Sequence, residues 1–311
     1  MKISRILFMG TPDFAIPSLE ALVKRGYTIC GAVTQPDKPR GRGHKLMPSP
    51  VKEFAISHEI AVFQPETLKN NNFSDELKNL NPDIIIVAAY GKILPRYVLE
   101  FPKYGCINVH GSVLPKYRGA APIQRAVING EKETGITTMF MNEGLDTGDI
   151  LLCDKTEIGE NETAGELFDR LALLGADTLL KTLDKIENGT LNRTPQNDDE
   201  ATYAAMLSRE TGHIDWNMTA KEIFSLVKGC NPYPAAFTSY KGEALKIFSC
   251  SIGENADAPN GKILGIKDKK LWISCEGGSI LADDVQFFGT KRMPFESYLN
   301  GHDIDLSEIL V

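Results

Sequence analysis

Residues 106–121 read C-I-N-V-H-G-S-V-L-P-K-Y-R-G-A-A, and both fold and chemistry turn on them. Residues 106–109 predict a short buried strand. Asn108 and His110 are two apart, and residues i and i+2 of a strand share a face. An amide and an imidazole therefore project side by side at the carboxyl end of that strand, where open α/β sheets bind ligands. Residues 111–115 read as a turn with exposed backbone groups, and Arg118-Gly119 follows. Two neighbouring donors aimed at one small electron-rich atom suit an oxyanion site that needs no metal.

Upstream, residues 83–89 (D-I-I-I-V-A-A) are apolar without alternation, the pattern of a parallel strand covered on both faces. They run into a loop, 90–95 (Y-G-K-I-L-P), at the same carboxyl edge. Strands are also predicted over 5–9, 27–34 and 62–63, and helices over 14–24, 51–58 and 74–80. Downstream come a helix over 122–129, strands over 135–141 and 150–158, and a long helix over 164–187. This alternation predicts an open α/β sheet. It stops at a polar stretch with Gly189 and Pro195. Beyond a helix over 220–227, five short segments (235–239, 245–250, 261–266, 270–276 and 279–287) are separated by turn signals, as in a small β-barrel. The expected organisation is a first domain over 1–188, a linker over 189–208 and a barrel domain over 209–311.

A chain of 311 residues has room for two cores, and its 42% hydrophobic and 24% charged residues are those of an ordinary globular protein. A net charge of −7 argues against a general nucleic-acid coat. The apolar run Ile6–Met9 stops at Gly10-Thr11-Pro12-Asp13, too short for a signal peptide, and nothing approaches membrane length. A cytoplasmic protein with no membrane partner is expected. The six cysteines are scattered without a CxxC, which excludes a zinc knuckle or a disulfide framework and makes them small buried hydrophobes. The five histidines have no metal-spaced partners, so no metal is expected. Gly10-Thr11-Pro12 carries one glycine where a dinucleotide fingerprint needs three, and Lys45 is followed by Leu46, which excludes a Walker loop.

Asp146 lies in the loop 143–148 (E-G-L-D-T-G), at the end of the neighbouring predicted strand. A carboxylate there can hold His110 in one tautomer. Asn, His and Asp converging at one sheet edge suit acyl transfer without a covalent intermediate, and no G-x-S-x-G elbow is present. Ser112 has no base of its own and reads as a backbone-positioning residue. The competing reading is a strand end whose polar groups merely satisfy the backbone. Residues 35–50 (Q-P-D-K-P-R-G-R-G-H-K-L-M-P-S-P) hold four prolines and two glycines, which predicts a loop without regular structure. Lys38, Arg40, Arg42 and Lys45 there face one acid, Asp37. That suits a phosphate backbone as partner, or a solvated surface segment. Phe14 beside it is either a platform for a base or helix core. Residues 209–311 carry eleven Lys/Arg against fourteen Asp/Glu, so the barrel is not basic overall. Lys262, Lys267, Lys269, Lys270, Lys291 and Arg292 are candidates for a local positive face.

The stretch 108–125 (N-V-H-G-S-V-L-P-K-Y-R-G-A-A-P-I-Q-R), with 134–150 (T-G-I-T-T-M-F-M-N-E-G-L-D-T-G-D-I), resembles the folate-dependent formyltransferases. The start 9–15 (M-G-T-P-D-F-A), the basic loop and the barrel resemble the branch of that family acting on initiator methionyl-tRNA. The likeness spans essentially the whole chain; the two central motifs are specific, the barrel mostly architectural. It implies a Rossmann-like formyltransferase domain and an OB-like β-barrel that binds tRNA. It implies transfer of the formyl group of 10-formyltetrahydrofolate, a co-substrate, to the α-amino group of the tRNA-borne methionine, for translation initiation. Asn108, His110 and Asp146 would be the catalytic trio. Asn108 and protonated His110 would hold the tetrahedral oxyanion, while Asp146 orients His110 and receives the amine's proton. Ser112, Val113, Leu114 and Pro115 would be the folate turn, usually S-L-L-P, with Val113 replacing the first leucine. Tyr90, Gly91, Ile93 and Leu94 would line the pterin pocket. Lys38, Arg40, Arg42 and Lys45 would enter the acceptor end, Arg42 leading. A monomer is expected. Similar motifs serve transfer to an amino sugar nucleotide or to glycinamide ribonucleotide and, more remotely, hydrolysis of formyltetrahydrofolate.

Overall fold

The computed structural model describes residues 2–40 and 45–311, which divide into two compact units. The first runs through Pro122 and adds Glu133–Glu157 and Phe168–Ala204; the second holds Ile123–Lys132, Ile158–Leu167 and Ala205–Val311. In chain order the first unit contains β1 (Arg5–Gly10), β2 (Thr28–Val33), β3 (Lys38–Arg40), β4 (Lys45–Met47), β5 (Val62–Phe63) and β6 (Ile84–Ala88). There follow β7 (Cys106–His110), β8 (Arg118–Gly119), β9 (Glu133–Phe140), β10 (Ile150–Glu157) and β11 (Tyr203–Ala204). The helices α1 (Ile16–Lys24), α2 (Pro50–Ser57), α3 (Ser74–Leu80) and α4 (Arg96–Leu99) connect the early strands. Helix α5 (Pro122–Ile128) precedes β9, and α6 (Ala164–Asn188) follows β10.

Seven strands form one sheet in the order β5-β2-β1-β6-β7-β9-β10. The first five are parallel, whereas β9 runs antiparallel to β7 and β10 antiparallel to β9. The chain moves outward from β1 to β5, then returns on the other side of β1 at β6. This reversal opens a crevice at the carboxyl ends of the central strands. The five residues of β6 and of β7 are all buried, as a sheet covered on both faces requires. Helix α6 covers the face carrying Val109, Ile136 and Thr138. Its buried residues recur every three or four positions (Leu171, Gly175, Leu179, Leu183, Ile186). Gly175 permits the close approach, because a Cβ there would stand 3.0 Å from Val109 Cγ1. Phe14 is helix core: it is buried and packs against Phe168 at 5.3 Å.

Residues 38–40 and 45–47 depart from the expected irregular loop, because β3 and β4 pair as an antiparallel ribbon. Both strands of a two-stranded ribbon are edges, so Pro39 forfeits no essential ladder bond. The polar stretch read as a linker runs along the first unit as far as Ala204. Thr194 bridges Ile150, and β11 pairs with β8.

The second unit is an antiparallel sheet of β12 (Ala236–Tyr240), β13 (Glu243–Ile252), β14 (Ile263–Lys267), β15 (Lys270–Cys275) and β16 (Gly278–Phe287), in the order β12-β13-β16-β15-β14. A short β17 (Met293–Pro294) pairs with β16. Helix α7 (Ala220–Gly229) opens with a capping box between Thr219 and Glu222 and contributes Ile223, Leu226 and Val227 to the core. Helix α8 (Phe295–Leu299) adds Phe295 and Tyr298. The sheet's two edges are joined by residues 309–311. Val311 exchanges backbone bonds with Ser239 on β12, while Leu310 N donates to Gly261 O and Ile309 bridges Lys262 beside β14. This tail bridges the two edges and so closes the sheet into a barrel. Leu310→Ala should destabilise the second unit by about 2–5 kcal/mol, the range for truncating a buried leucine. Denaturant unfolding followed by tryptophan fluorescence measures it; an unchanged transition would mean that the tail is not structural.

Candidate active site

Asn108 and His110 point to the face of β7 that α6 leaves uncovered, opposite Met139 and Thr137 of β9. Both are buried, at 9% and 6% exposed. Asp146 reaches them by an unforeseen route. Since β9 is antiparallel, its end lies beside the start of β7, where Phe140 pairs with Ile107. The loop 141–149 then doubles back over the sheet face. There Asn108 Nδ2 donates to Asp146 Oδ1 at 3.4 Å, and His110 Nδ1 stands 3.7 Å from Asp146 Oδ2. The second distance is an ion-pair contact but too long for a hydrogen bond.

What orients the imidazole is the backbone. His110 Nε2 lies 3.0 Å from the carbonyl oxygen of Tyr117. A carbonyl only accepts, so Nε2 carries the proton, and in the neutral ring Nδ1 presents its lone pair towards Asp146. From sequence, Asp146 was expected to orient the ring; the turn performs that task. Asp146 is held in turn by Gly119 N, which donates to Oδ2 at 2.8 Å. Gly119 has φ +121°, and a Cβ there would lie 2.8 Å from Ala204 O. Only glycine can therefore bring this N–H to the carboxylate.

The turn after β7 is built from within. Ser112 Oγ donates to Lys116 O at 2.7 Å. Thr137 Oγ1 donates to Ser112 O at 2.7 Å and accepts from Leu114 N at 3.2 Å. Ser112 and Leu114 are buried, whereas Val113 and Pro115 are partly open. In the other expected pocket segment, Tyr90 and Leu94 turn into the core that includes Leu7, Met9, Val33 and Val87. Gly91 and Ile93 face solvent, Ile93 at 79% exposure. Burial pushes the Tyr90 hydroxyl up to about 12, and that hydroxyl has no hydrogen-bond partner among the described residues. Its backbone oxygen accepts from Thr11 Oγ1 and Gln35 Nε2, which ties β1 and the base of the β3–β4 ribbon to this loop.

Of the four cations on the basic segment, Lys38 is exposed and donates to Gln35 Oε1 at 2.8 Å. Arg40 and Lys45 lie on β3 and β4, and Arg42 lies outside the described residues. The ribbon's base is fixed by Lys52, which pairs with Asp37 at 2.7 Å, and by Gln64 Nε2, which donates to Asp37 Oδ1. These two donors hold the Asp37 carboxyl below its usual range, Lys52 foremost. On the barrel the candidate positive face is largely compensated. Lys267 pairs with Glu254, Lys269 with Glu296, Lys270 with Asp283 and Arg292 with Asp284.

Known proteins share the fold and much of the sequence. Residues 4–183 match the formyl transferase family, and residues 206–303 match the formyl transferase C-terminal domain. The chain belongs to the formyltransferase family. It is 52% identical to the methionyl-tRNA formyltransferase of Acetivibrio thermocellus, over 98% of this chain and 99% of that one. It is 50% identical to that of Alkaliphilus oremlandii, with the same coverage. Among solved structures, the N-formyltransferase from Helicobacter canadensis, in complex with folinic acid and dTDP-3-aminofucose, shares the fold. Its TM-score is 0.64 at 23% identity, covering 92% of this chain and all of that one. The fold class expected from sequence, a formyltransferase α/β domain followed by a β-rich domain, is the one observed.

Sequence reasoning missed Thr137, the Tyr117 carbonyl, the Gly119 N–H and Gln196. Gln196 Nε2 donates to Asp146 O and Gly148 O from within a stretch that reads as a polar linker. Alternation on β9 puts Thr137 on the same face as His110, and that was the one available signal. Thr137→Val should cost about 1–3 kcal/mol, because it leaves the buried Ser112 O and Leu114 N without their partner. Urea unfolding checks this; a loss below the resolution of that measurement would mean that the turn stands without it.

Proposed function

We propose that this formyltransferase moves the formyl group of 10-formyltetrahydrofolate to the α-amino group of methionine esterified to initiator tRNA, acting in the cytoplasm as a monomer. The observation that carries the chemistry is the meeting of Asn108 Nδ2, His110 Nδ1 and the Asp146 carboxylate at one point of the sheet face. The acceptor rests on relatives of about half identity that carry the methionyl-tRNA name over their full length. The described residues contain no group of three or more metal-ligating side chains and no helix long and apolar enough to cross a membrane.

In this reading the folate enters over the turn 112–115, with Val113, Gly91 and Ile93 as its accessible apolar and backbone surface and Tyr90 and Leu94 supporting them from beneath. A free α-amino group titrates near about 7.7–8.0, so the nucleophile needs little activation. Its nitrogen attacks the formyl carbon, and the carbonyl oxygen becomes the oxyanion of a tetrahedral intermediate. Asn108 Nδ2 and, once protonated, His110 Nδ1 donate to that oxygen. The amine's proton passes to the Asp146 carboxylate, and a proton delivered from His110 Nδ1 lets the folate nitrogen leave as the old C–N bond breaks. Because Nε2 stays committed to Tyr117 O, all proton traffic at His110 runs through Nδ1.

Residues 1–188 would then be the catalytic domain and 209–311 the barrel that meets tRNA. The barrel's cations sit mostly in exposed ion pairs, which are weak and exchange readily for phosphates. Lys38, Arg40, Arg42 and Lys45 would meet the acceptor end.

Asn108→Ala, His110→Ala and Asp146→Ala should each lower kcat by about 100-fold or more, as loss of an oxyanion donor or proton carrier does, while the protein stays folded at the assay temperature. The assay offers radiolabelled formyl donor with methionyl-tRNA, an amino sugar nucleotide, glycinamide ribonucleotide or buffer alone. Label on methionyl-tRNA supports this reading; label on another acceptor, or formate released without one, replaces it. Near-normal turnover in His110→Ala removes the mechanism. Arg42→Leu should weaken methionyl-tRNA use, reduce the salt slope of tRNA binding by about 1 and leave folate binding unchanged. Unaltered tRNA kinetics would make the basic ribbon a solvated surface.

A further inference from the structure

We infer that Gln196 is a positioning residue for the reaction: its side-chain amide sets the backbone of the Asp146 loop and so the place of the carboxylate. This rests on the proposed role of Asp146. The amide nitrogen donates to two carbonyls of that loop, Asp146 O at 2.9 Å and Gly148 O at 2.7 Å. The amide oxygen accepts two bonds from one guanidinium, Arg118 Nε at 3.0 Å and Nη2 at 2.8 Å. With a weaker contact from the same nitrogen to Met139 Sδ at 3.9 Å, the amide's bonding capacity is used, and the directions forbid a flipped amide, since two carbonyls cannot face an oxygen.

Three features show that the loop needs such a clamp. Asp146 adopts φ +52°, a left-handed conformation that costs a non-glycine residue and persists only where surroundings impose it. The loop tip is exposed from Glu143 to Leu145, so little packing holds it from outside. A Cβ at Gly148 would overlap Phe140 O, so only glycine fits where the loop passes β9. The clamp itself is rigid. Arg118 is 2% exposed, and its other tie is to Asp198 at 2.8 Å. Its neighbour Gly119 supplies the N–H that holds Asp146 Oδ2, so one dipeptide, Arg118-Gly119, fixes Asp146 at its side chain directly and at its backbone through Gln196. The Gln196 amide spends its bonds on the loop and on Arg118, so it acts on the chemistry through Asp146.

The test uses the whole 311-residue chain and steady-state formyl transfer. Gln196→Ala removes both sets of bonds. Gln196→Glu keeps the acceptor for Arg118, now as an ion pair, but turns an oxygen on the two loop carbonyls. It is therefore the variant that keeps the buried guanidinium partnered while losing the clamp. Both should lower kcat by about tenfold or more, with KM for methionyl-tRNA and for the folate within about twofold, the signature of a misplaced reacting group. In an Asp146→Asn background the same substitutions should cost less than about twofold more, because residues acting as one unit are not additive. Gln196 variants with kcat within about twofold of wild type, or an equal loss with and without Asp146, would overturn this inference alone. Near-normal turnover of Asp146→Asn by itself would instead overturn the proposed mechanism.

Discussion

The bond from His110 Nε2 to the carbonyl oxygen of Tyr117 governs the cleft. An imidazole has two nitrogens, and this contact commits one of them to structure. The other, Nδ1, is thereby the nitrogen that faces Asp146 and the open side of the sheet. Tyr117 can serve as anchor because its own backbone is tied down. Its N–H donates to Thr202 Oγ1 at 2.9 Å, and it sits at φ +61°, a conformation the surrounding turn enforces. The orientation of the histidine is therefore set by a backbone atom seven residues on, and its second nitrogen stands 3.7 Å from the Asp146 carboxylate.

Placement on the sheet decides roles along β9 as well. Its two adjacent threonines point to opposite faces and act differently. Thr137 supports the turn after β7, while Thr138 shares a 2.7 Å hydroxyl bond with Thr182 of α6 on the covered face. Because β9 runs against β7, its last residues lie beside the first residues of β7, far from the carboxyl end of that strand. The loop 141–149 must therefore cross the open face to rejoin the sheet at β10. That crossing is what carries the Asp146 carboxylate over Asn108 and His110.

Much of the fold was legible because it is local. The unbroken apolar run of β6, the i, i+2 pair on β7, the long amphipathic helix and the turn-punctuated strands of the barrel each declare themselves over short stretches of chain. What stayed hidden depends on distant partners. Pro39 reads as a breaker until β4 is seen to leave its strand an edge. Residues 309–311 (I-L-V) are too few to predict a strand, yet they close the barrel through backbone bonds to Ser239 and Gly261. Gln196 sits in a polar stretch whose composition says only that it is solvated, and its role comes from the carbonyl of a residue 50 positions earlier. That Asn108 and His110 share one face of β7 was readable from spacing; the atoms that orient them, mostly backbone N–H and C=O groups, have no sequence signature.

The most direct measurement is the tautomer of His110, read from long-range proton–nitrogen correlations of protein labelled with nitrogen-15 histidine. Substitution by glutamine identifies the His110 signals among the five histidines. The result expected at pH values where the ring is neutral is a protonated Nε2 and a bare Nδ1, with the Nδ1 shift responding to Asp146→Asn. A proton resident on Nδ1 in the neutral ring, or an Nδ1 shift indifferent to Asp146, would contradict the geometry on which the chemistry is built.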